Sequence, residues 1–153
     1  MIKDLAKRTL LSKGGGKVPV DLERIAFLEG VEILRSPLFD NDGEASIENG
    51  RRKIKLNAAN SHNRQRFTLA HELAHHILGH TQGGACFRDS EYIRGSDPKE
   101  IEANLFAANL LVPEELLINA IETGKANSIA ELASMFDVSG AVIEYRLKDL
   151  GYI

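Results

Sequence analysis

The chain has 153 residues, 43% of them hydrophobic and 27% charged, with a formal net charge of −3. That length sustains one domain with a substantial core, and the slight acidity lacks the basic footprint of a nucleic-acid binder. Its single cysteine, Cys86, excludes an internal disulfide framework and fits a reducing compartment.

Ile2, Leu5, Ala6, Thr9 and Leu10 recur at helical spacing and predict a short amphipathic helix over residues 2–11. The charges between them leave no uninterrupted apolar core for a signal peptide, and no later stretch approaches a membrane span. A cytoplasmic protein is expected. Gly14-Gly15-Gly16 breaks the helix into a joint. It makes a poor phosphate loop, because no strand precedes it and no Lys-Ser/Thr pair follows. A second helix over Asp21–Glu29 stops at Gly30, and Val31–Leu34 reads as a strand closed off by Ser36-Pro37. Asn49-Gly50 is a two-residue hairpin signal. It sets Ile47 opposite Arg52 and Ala45 opposite Ile54, so Ala45, Ile47, Ile54 and Leu56 share one apolar face that can lie on a helix.

That helix is predicted from Ser61 to His80, with Asn60 or Ser61 as its cap. Phe67, Ala70, Ala74, Ile77 and Leu78 line one side and Leu69 and Leu73 the other, so the helix is central and its polar residues are buried. Among them is His71-Glu72-Leu73-Ala74-His75. Residues four apart share a helical face, so His71 and His75 aim two imidazoles at one point. Glu72 follows about 100° further round, within reach of that point without being a ligand. Buried imidazoles and a buried carboxylate need partners, and a metal ion supplies them. The HExxH pattern points to zinc with a glutamate base for hydrolysing peptide bonds. The longer metzincin pattern is excluded, because Leu78 and Thr81 stand where it requires glycine and histidine. His76 is expected to point away, and His80 to cover a polar end.

Thr81–Asp97 is rich in Gly, Ser, Asp and Arg, and reads as a lid or substrate-shaping loop. Its Tyr92 and Arg88 are candidate oxyanion helpers. Helix resumes at Pro98, after Asp97 as cap, and runs to Val112. Another begins at Pro113-Glu114-Glu115 and reaches roughly Ile121. Ile129–Phe136 and Ser139–Leu150 form a final pair.

A catalytic zinc takes three protein ligands and keeps one position for water. His80, Cys86, Glu91, Asp97, Glu100 and Glu102 are the candidates for the third. At about 100° per residue, Glu102 emerges within the arc of Ile101, Leu105, Phe106 and Val112, while Glu100 points to the solvent side. A carboxylate on a buried face wants a cation, the alternative being an ion pair with Arg64 or Arg66. The expected metal set is therefore His71, His75 and Glu102, with Glu72 catalytic. Zn²⁺ is the expected ion; Mn²⁺ is the alternative, since the choice rests on ligand type alone.

Arg64–His75, together with Glu102-Ala103-Asn104-Leu105-Phe106-Ala107-Ala108-Asn109-Leu110-Leu111-Val112-Pro113, resembles the ImmA/IrrE family of metallopeptidases. Pro19–Ala26 and Ile54-Lys55-Leu56-Asn57 fit the same pattern, so the similarity covers roughly residues 18–120. Val112 departs from it where the family often has methionine. The resemblance implies a zincin-like α+β fold, in which a small antiparallel or mixed sheet packs on the HExxH helix and a C-terminal helical bundle follows. It implies zinc on the positions matching His71, His75 and Glu102, with Glu72 as base. Members of the family cut helix-turn-helix repressors of the Xre type, inducing mobile-element or stress genes, so such a repressor is the expected protein substrate.

On this reading 1–153 is a single metallopeptidase domain. Residues 1–17 form the N-terminal helix and joint, 18–121 the catalytic core and 128–153 the C-terminal pair. Ala133, Val138, Ser139 and Ile143 fall at helix-turn-helix positions, but Asp137 stands where glycine is usual. Four acids (Glu131, Asp137, Glu144, Asp149) outweigh Arg146 and Lys148 there, so direct nucleic-acid binding is not expected. The pair should close the core or dock the substrate. The rival from another class is a metal-containing regulator that binds a repressor or DNA without cutting.

Overall fold

The computed structural model describes residues 1–89 and 97–153. Helix α1 (Ile2–Lys13) runs into the glycine joint, where Gly15 and Gly16 take φ of 75° and 71°. Asp21 caps α2 (Leu22–Leu28) by accepting from the Arg24 N–H at 3.0 Å. Three strands follow, β1 (Val31–Ser36), β2 (Gly43–Glu48) and β3 (Arg51–Asn57). Asn49 and Gly50 both adopt positive φ, 53° and 74°, as a tight hairpin turn requires. Ile47 thereby pairs with Arg52 and Ala45 with Ile54, the register the turn predicts. β1 adds parallel to β3.

Ser61 caps α3 (His62–Ile77), accepting from the Arg64 N–H at 3.3 Å. The helix is shorter than its apolar pattern predicts. Leu78 is its C-cap, and Gly79, at φ 80°, reverses the chain so that the His80 N–H donates to the His75 carbonyl at 2.8 Å. A single 3₁₀ turn (Gln82–Gly84) leads to β4 (Phe87–Asp89), which pairs antiparallel to β2. The sheet is therefore mixed, in the order β1-β3-β2-β4. β4 falls in the expected loop, because a three-residue strand with one large apolar residue carries no alternation that a sequence can reveal. Residues 90–96 lie outside the described residues, and with them part of the expected lid, including Glu91 and Tyr92.

Asp97 caps α4 (Pro98–Leu111) through the Lys99 N–H, and α5 (Glu114–Glu122), α6 (Ile129–Phe136) and α7 (Gly140–Asp149) complete the chain. α3 lies between the sheet and α4, and α4 also receives α1 and α7. Ala45, Ile54 and Leu56 form the buried sheet face, as the hairpin register predicts, with Ile47 only partly covered. Leu69, Leu73, Phe106 and Leu110 are fully buried, each contributing about 1.5–3 kcal/mol over its exposed state. Ala70 and Ala74 of α3 and Ala103 and Ala107 of α4 are buried too. Small side chains on both helices let their backbones approach closely, and this seam positions the site.

The C-terminal pair has Phe136 and Ile143 in the core. Asp137 does adopt the left-handed conformation usual for glycine there, φ 57°. Its carbonyl accepts from Arg66 Nε at 2.9 Å, and its carboxylate lies 2.7 Å from His62 Nε2, tying the α6–α7 turn to the start of α3.

Candidate metal centre

His71, Glu72 and His75 sit in the middle of α3, where the sheet covers one side and α4 the other. The two imidazoles meet at their Nε2 atoms, 3.2 Å apart. From α4, Glu100 Oε1 reaches 3.2 Å from His71 Nε2 and 2.6 Å from His75 Nε2. The Glu72 carboxylate stands on the same spot, its ligand atom and those of both histidines lying within 4.8 Å of one another. The Glu72 and His75 side chains are wholly buried, and His71 nearly so.

Hydrogen bonds behind the rings decide what the front atoms present. His71 Nδ1 lies 2.7 Å from Asn104 Oδ1. An amide oxygen only accepts, so Nδ1 carries the hydrogen and Nε2 keeps its lone pair. His75 Nδ1 lies 2.9 Å from His80 Nδ1. With the hydrogen on His75, two imidazole lone pairs and a carboxylate oxygen converge on one point, an arrangement that repels itself unless a cation joins it. In a tetrahedral zinc centre with bonds of about 2.0–2.2 Å, ligand atoms stand about 3.4 Å apart. The observed 3.2, 3.2 and 2.6 Å approach that spacing, and two nitrogens with one oxygen are a hydrolytic zinc donor set. The residues present fit the ion.

Burial raises the Glu100 carboxyl, but the hydrogen bonds and positive charge that His71 and His75 offer when protonated, in place of a metal, prevail and hold it well below the ordinary carboxylate range. Glu100 is thus an anion at neutral pH, as a ligand must be. Burial pushes the His76 imidazole below its usual value, and burial followed by nearby His75 does the same to His80.

Glu102 is not where its position on the helical wheel put it. Its side chain is 40% exposed and lies 3.2 Å from His80 Nε2, whereas Glu100, expected to face solvent, is 22% exposed and contacts both histidines. The wheel weighted the large residues Ile101 and Leu105, but Ile101 is 52% exposed and the true inner face is Ala103, Phe106, Ala107 and Leu110. Glu100 and Asn104, four apart on the flank of that face, both turn toward α3. Among the described residues, the two arginines offered as alternative partners for Glu102 pair elsewhere: Arg64 reaches Asp42 at 2.6 Å and Arg66 lies 3.5 Å from Asp137.

His80 is also displaced from its expected role. It is buried behind His75, whose ring stacks on Phe87 at 4.2 Å between centroids and 12° between planes. His76 does point away, to Thr81 Oγ1 and the Lys53 carbonyl, both at 2.9 Å. Cys86 Sγ lies 3.4 Å from Glu44 Oε1 rather than with the histidines. Neither oxyanion candidate can be placed, Tyr92 and the Arg88 side chain lying outside the described residues. Gly43 had no sequence signal. A Cβ there would collide with Thr68 Cγ2 and stand 3.2 Å from Glu72 Cγ, so glycine is what lets β2 touch α3 beside Glu72.

Among the described residues, no helix is long and apolar enough to cross a membrane. Residues 29–148 match the family described as the IrrE N-terminal-like domain. The chain is 35% identical over 131 residues to the radiation response metalloprotease IrrE of Deinococcus radiodurans, covering 82% of this chain and 39% of that protein. It is 34% identical over 128 residues to the IrrE of Deinococcus deserti, covering 80% of this chain and 44% of that protein. To the metallopeptidase ImmA of Bacillus subtilis it is 24% identical over 127 residues, covering 83% of this chain and 75% of that one. The chain thus spans about two fifths of the length of the two Deinococcus relatives.

Proposed function

The chain belongs to the ImmA/IrrE family of metallopeptidases, and from that membership we propose that it is a zinc-dependent, site-specific endopeptidase. Its substrate, on this reading, is a helix-turn-helix repressor of the Xre type, cut to relieve repression in a mobile-element or stress response. One observation carries the proposal: His71 Nε2, His75 Nε2 and Glu100 Oε1 converge at 2.6–3.2 Å with the Glu72 carboxylate beside them. We assign the metal to His71, His75 and Glu100, and the base to Glu72.

When bound, zinc polarises a carbonyl and brings the pKa of its water toward ~7. His71 and His75 donate lone pairs, and Glu100 lowers the net charge of the centre. Glu72 accepts the proton of the attacking water and passes it to the leaving amine as the peptide C–N bond breaks. A regulator that binds without cutting has no use for a buried carboxylate held within 4.8 Å of both histidines.

The substrate is tested with purified Xre-type repressors, beginning with any whose reading frame adjoins this chain's own. Incubation with the zinc-loaded protein, followed by mass spectrometry, should show one or a few defined cuts. A repressor that stays whole while a generic unfolded protein is cleaved would leave a peptidase with another target.

A further inference from the structure

The mechanism uses neither His80 nor Glu102, yet both are committed to the site from behind. His80 follows Gly79, whose positive φ turns the chain so that His80 is bonded to His75 twice, from its N–H to the His75 carbonyl at 2.8 Å and between the two Nδ1 atoms at 2.9 Å. Two facing imidazole nitrogens form a hydrogen bond only if one carries the hydrogen and the other does not. If His75 carries it, His75 Nε2 has a lone pair for a metal. If His80 carries it, His75 Nε2 bears the hydrogen and cannot ligate.

Glu102 breaks the tie. Its Oε1 lies 3.2 Å from His80 Nε2. A carboxylate accepts, so it favours the hydrogen on His80 Nε2; the opposite tautomer would set a bare nitrogen lone pair against the anion. With Nε2 protonated, His80 Nδ1 accepts from His75 Nδ1, and His75 Nε2 is left free to bind metal. Phe87 holds the plane of the arrangement, stacked on His75 at 4.2 Å and 5.9 Å from His80.

We infer that His80 and Glu102 are positioning residues forming a relay, Glu102–His80–His75, that selects the metal-binding tautomer and orientation of His75. The inference rests on the proposed metal centre. His71 is served differently, by one direct bond to Asn104. α4 thus supplies a ligand from Glu100, an orienting bond from Asn104 and the remote end of the relay from Glu102. Partners of this kind typically govern metal affinity by ~10–100-fold.

The test is zinc affinity of the full chain, measured by competition with a chromophoric chelator, with the cobalt(II) absorption spectrum as a second readout. His80→Leu removes the acceptor and should weaken zinc ~10–100-fold and alter the cobalt bands. His80→Gln restores an acceptor oxygen and should recover most of that loss. Glu102→Ala, at a 40% exposed side chain, leaves the core intact and should weaken zinc by a smaller factor. Combined with His80→Leu it should add nothing, since Glu102 acts only through His80. In the zinc-loaded wild type, imidazole ¹⁵N shifts should put the His75 hydrogen on Nδ1. Wild-type affinity in both His80→Leu and Glu102→Ala, additive losses in the double variant, or a hydrogen on His75 Nε2 would each overturn the relay. Wild-type protein that binds neither zinc nor cobalt would overturn the centre itself, and the relay with it.

Discussion

Glu100 Oε1 stands 2.6 Å from His75 Nε2, although the two residues come from different helices. α3 and α4 pack on each other, and the buried alanines on both, Ala70, Ala74, Ala103 and Ala107, leave room for a close approach. Glu100→Ala should therefore reduce zinc affinity by more than the ~10–100-fold typical of an outer hydrogen-bonding partner. Glu102→Ala should cost less than that. Elemental analysis after dialysis against a weak chelator separates the two; full occupancy in Glu100→Ala would return the third ligand to Glu102 or His80.

Much of this was legible in the sequence. The hairpin register followed from Asn49-Gly50, and the helix caps from Asp21, Ser61 and Asp97, because these signals are local and steric. The histidine pair followed from helical periodicity. The choice between Glu100 and Glu102 was not legible by the same logic. A wheel drawn from side-chain size overlooks Ala103 and Ala107, which are both fully buried. The pairs Ala70/Ala74 and Ala103/Ala107, with Glu100 and Asn104 four apart beside them, were the available signal. Gly43 and β4 were out of reach, one depending on a contact distant in sequence and the other too short for a pattern.

Acid should empty the site through the histidines before Glu100 is affected. Glu100's carboxyl is depressed, so its contribution is present above the unfolded value of ~4.3 and is lost only as pH falls through the lower folded value. A protonated imidazole has no lone pair to give a metal. With metal limiting, occupancy measured by equilibrium dialysis should decline between about pH 6.5 and 5. Occupancy that holds down to about pH 4 would contradict histidine ligation.

Gly43→Ala places a methyl group against Thr68 Cγ2 and Glu72 Cγ. The backbone must shift, at about 1–3 kcal/mol for overpacking, and the shift moves Glu72. Urea unfolding should register the loss, and cleavage should fall more steeply than the folded fraction does. Unchanged stability and activity would mean that β2 yields without disturbing α3.

Arg66 is half-buried between α3 and the C-terminal pair, with Nε 2.9 Å from the Asp137 carbonyl and Nη1 3.0 Å from the Val20 carbonyl. Arg66→Ala leaves both acceptors without this donor and should cost about 2–4 kcal/mol in urea unfolding. Zinc affinity should not change, because Arg66 touches none of the ligands. A loss of affinity with stability intact would make the C-terminal pair part of the site.

Glu72→Gln tests the central claim most directly. It keeps the side chain's volume and, Glu72 not being assigned as a ligand, should preserve both the fold and the zinc content. It cannot take a proton from water, so the rate of peptide cleavage should fall by at least ~10²-fold. The measurement is the single-turnover cleavage rate of wild type and Glu72→Gln, each at verified zinc occupancy, read by mass spectrometry. A zinc-loaded Glu72→Gln protein that cuts within a few-fold of wild type would contradict the account.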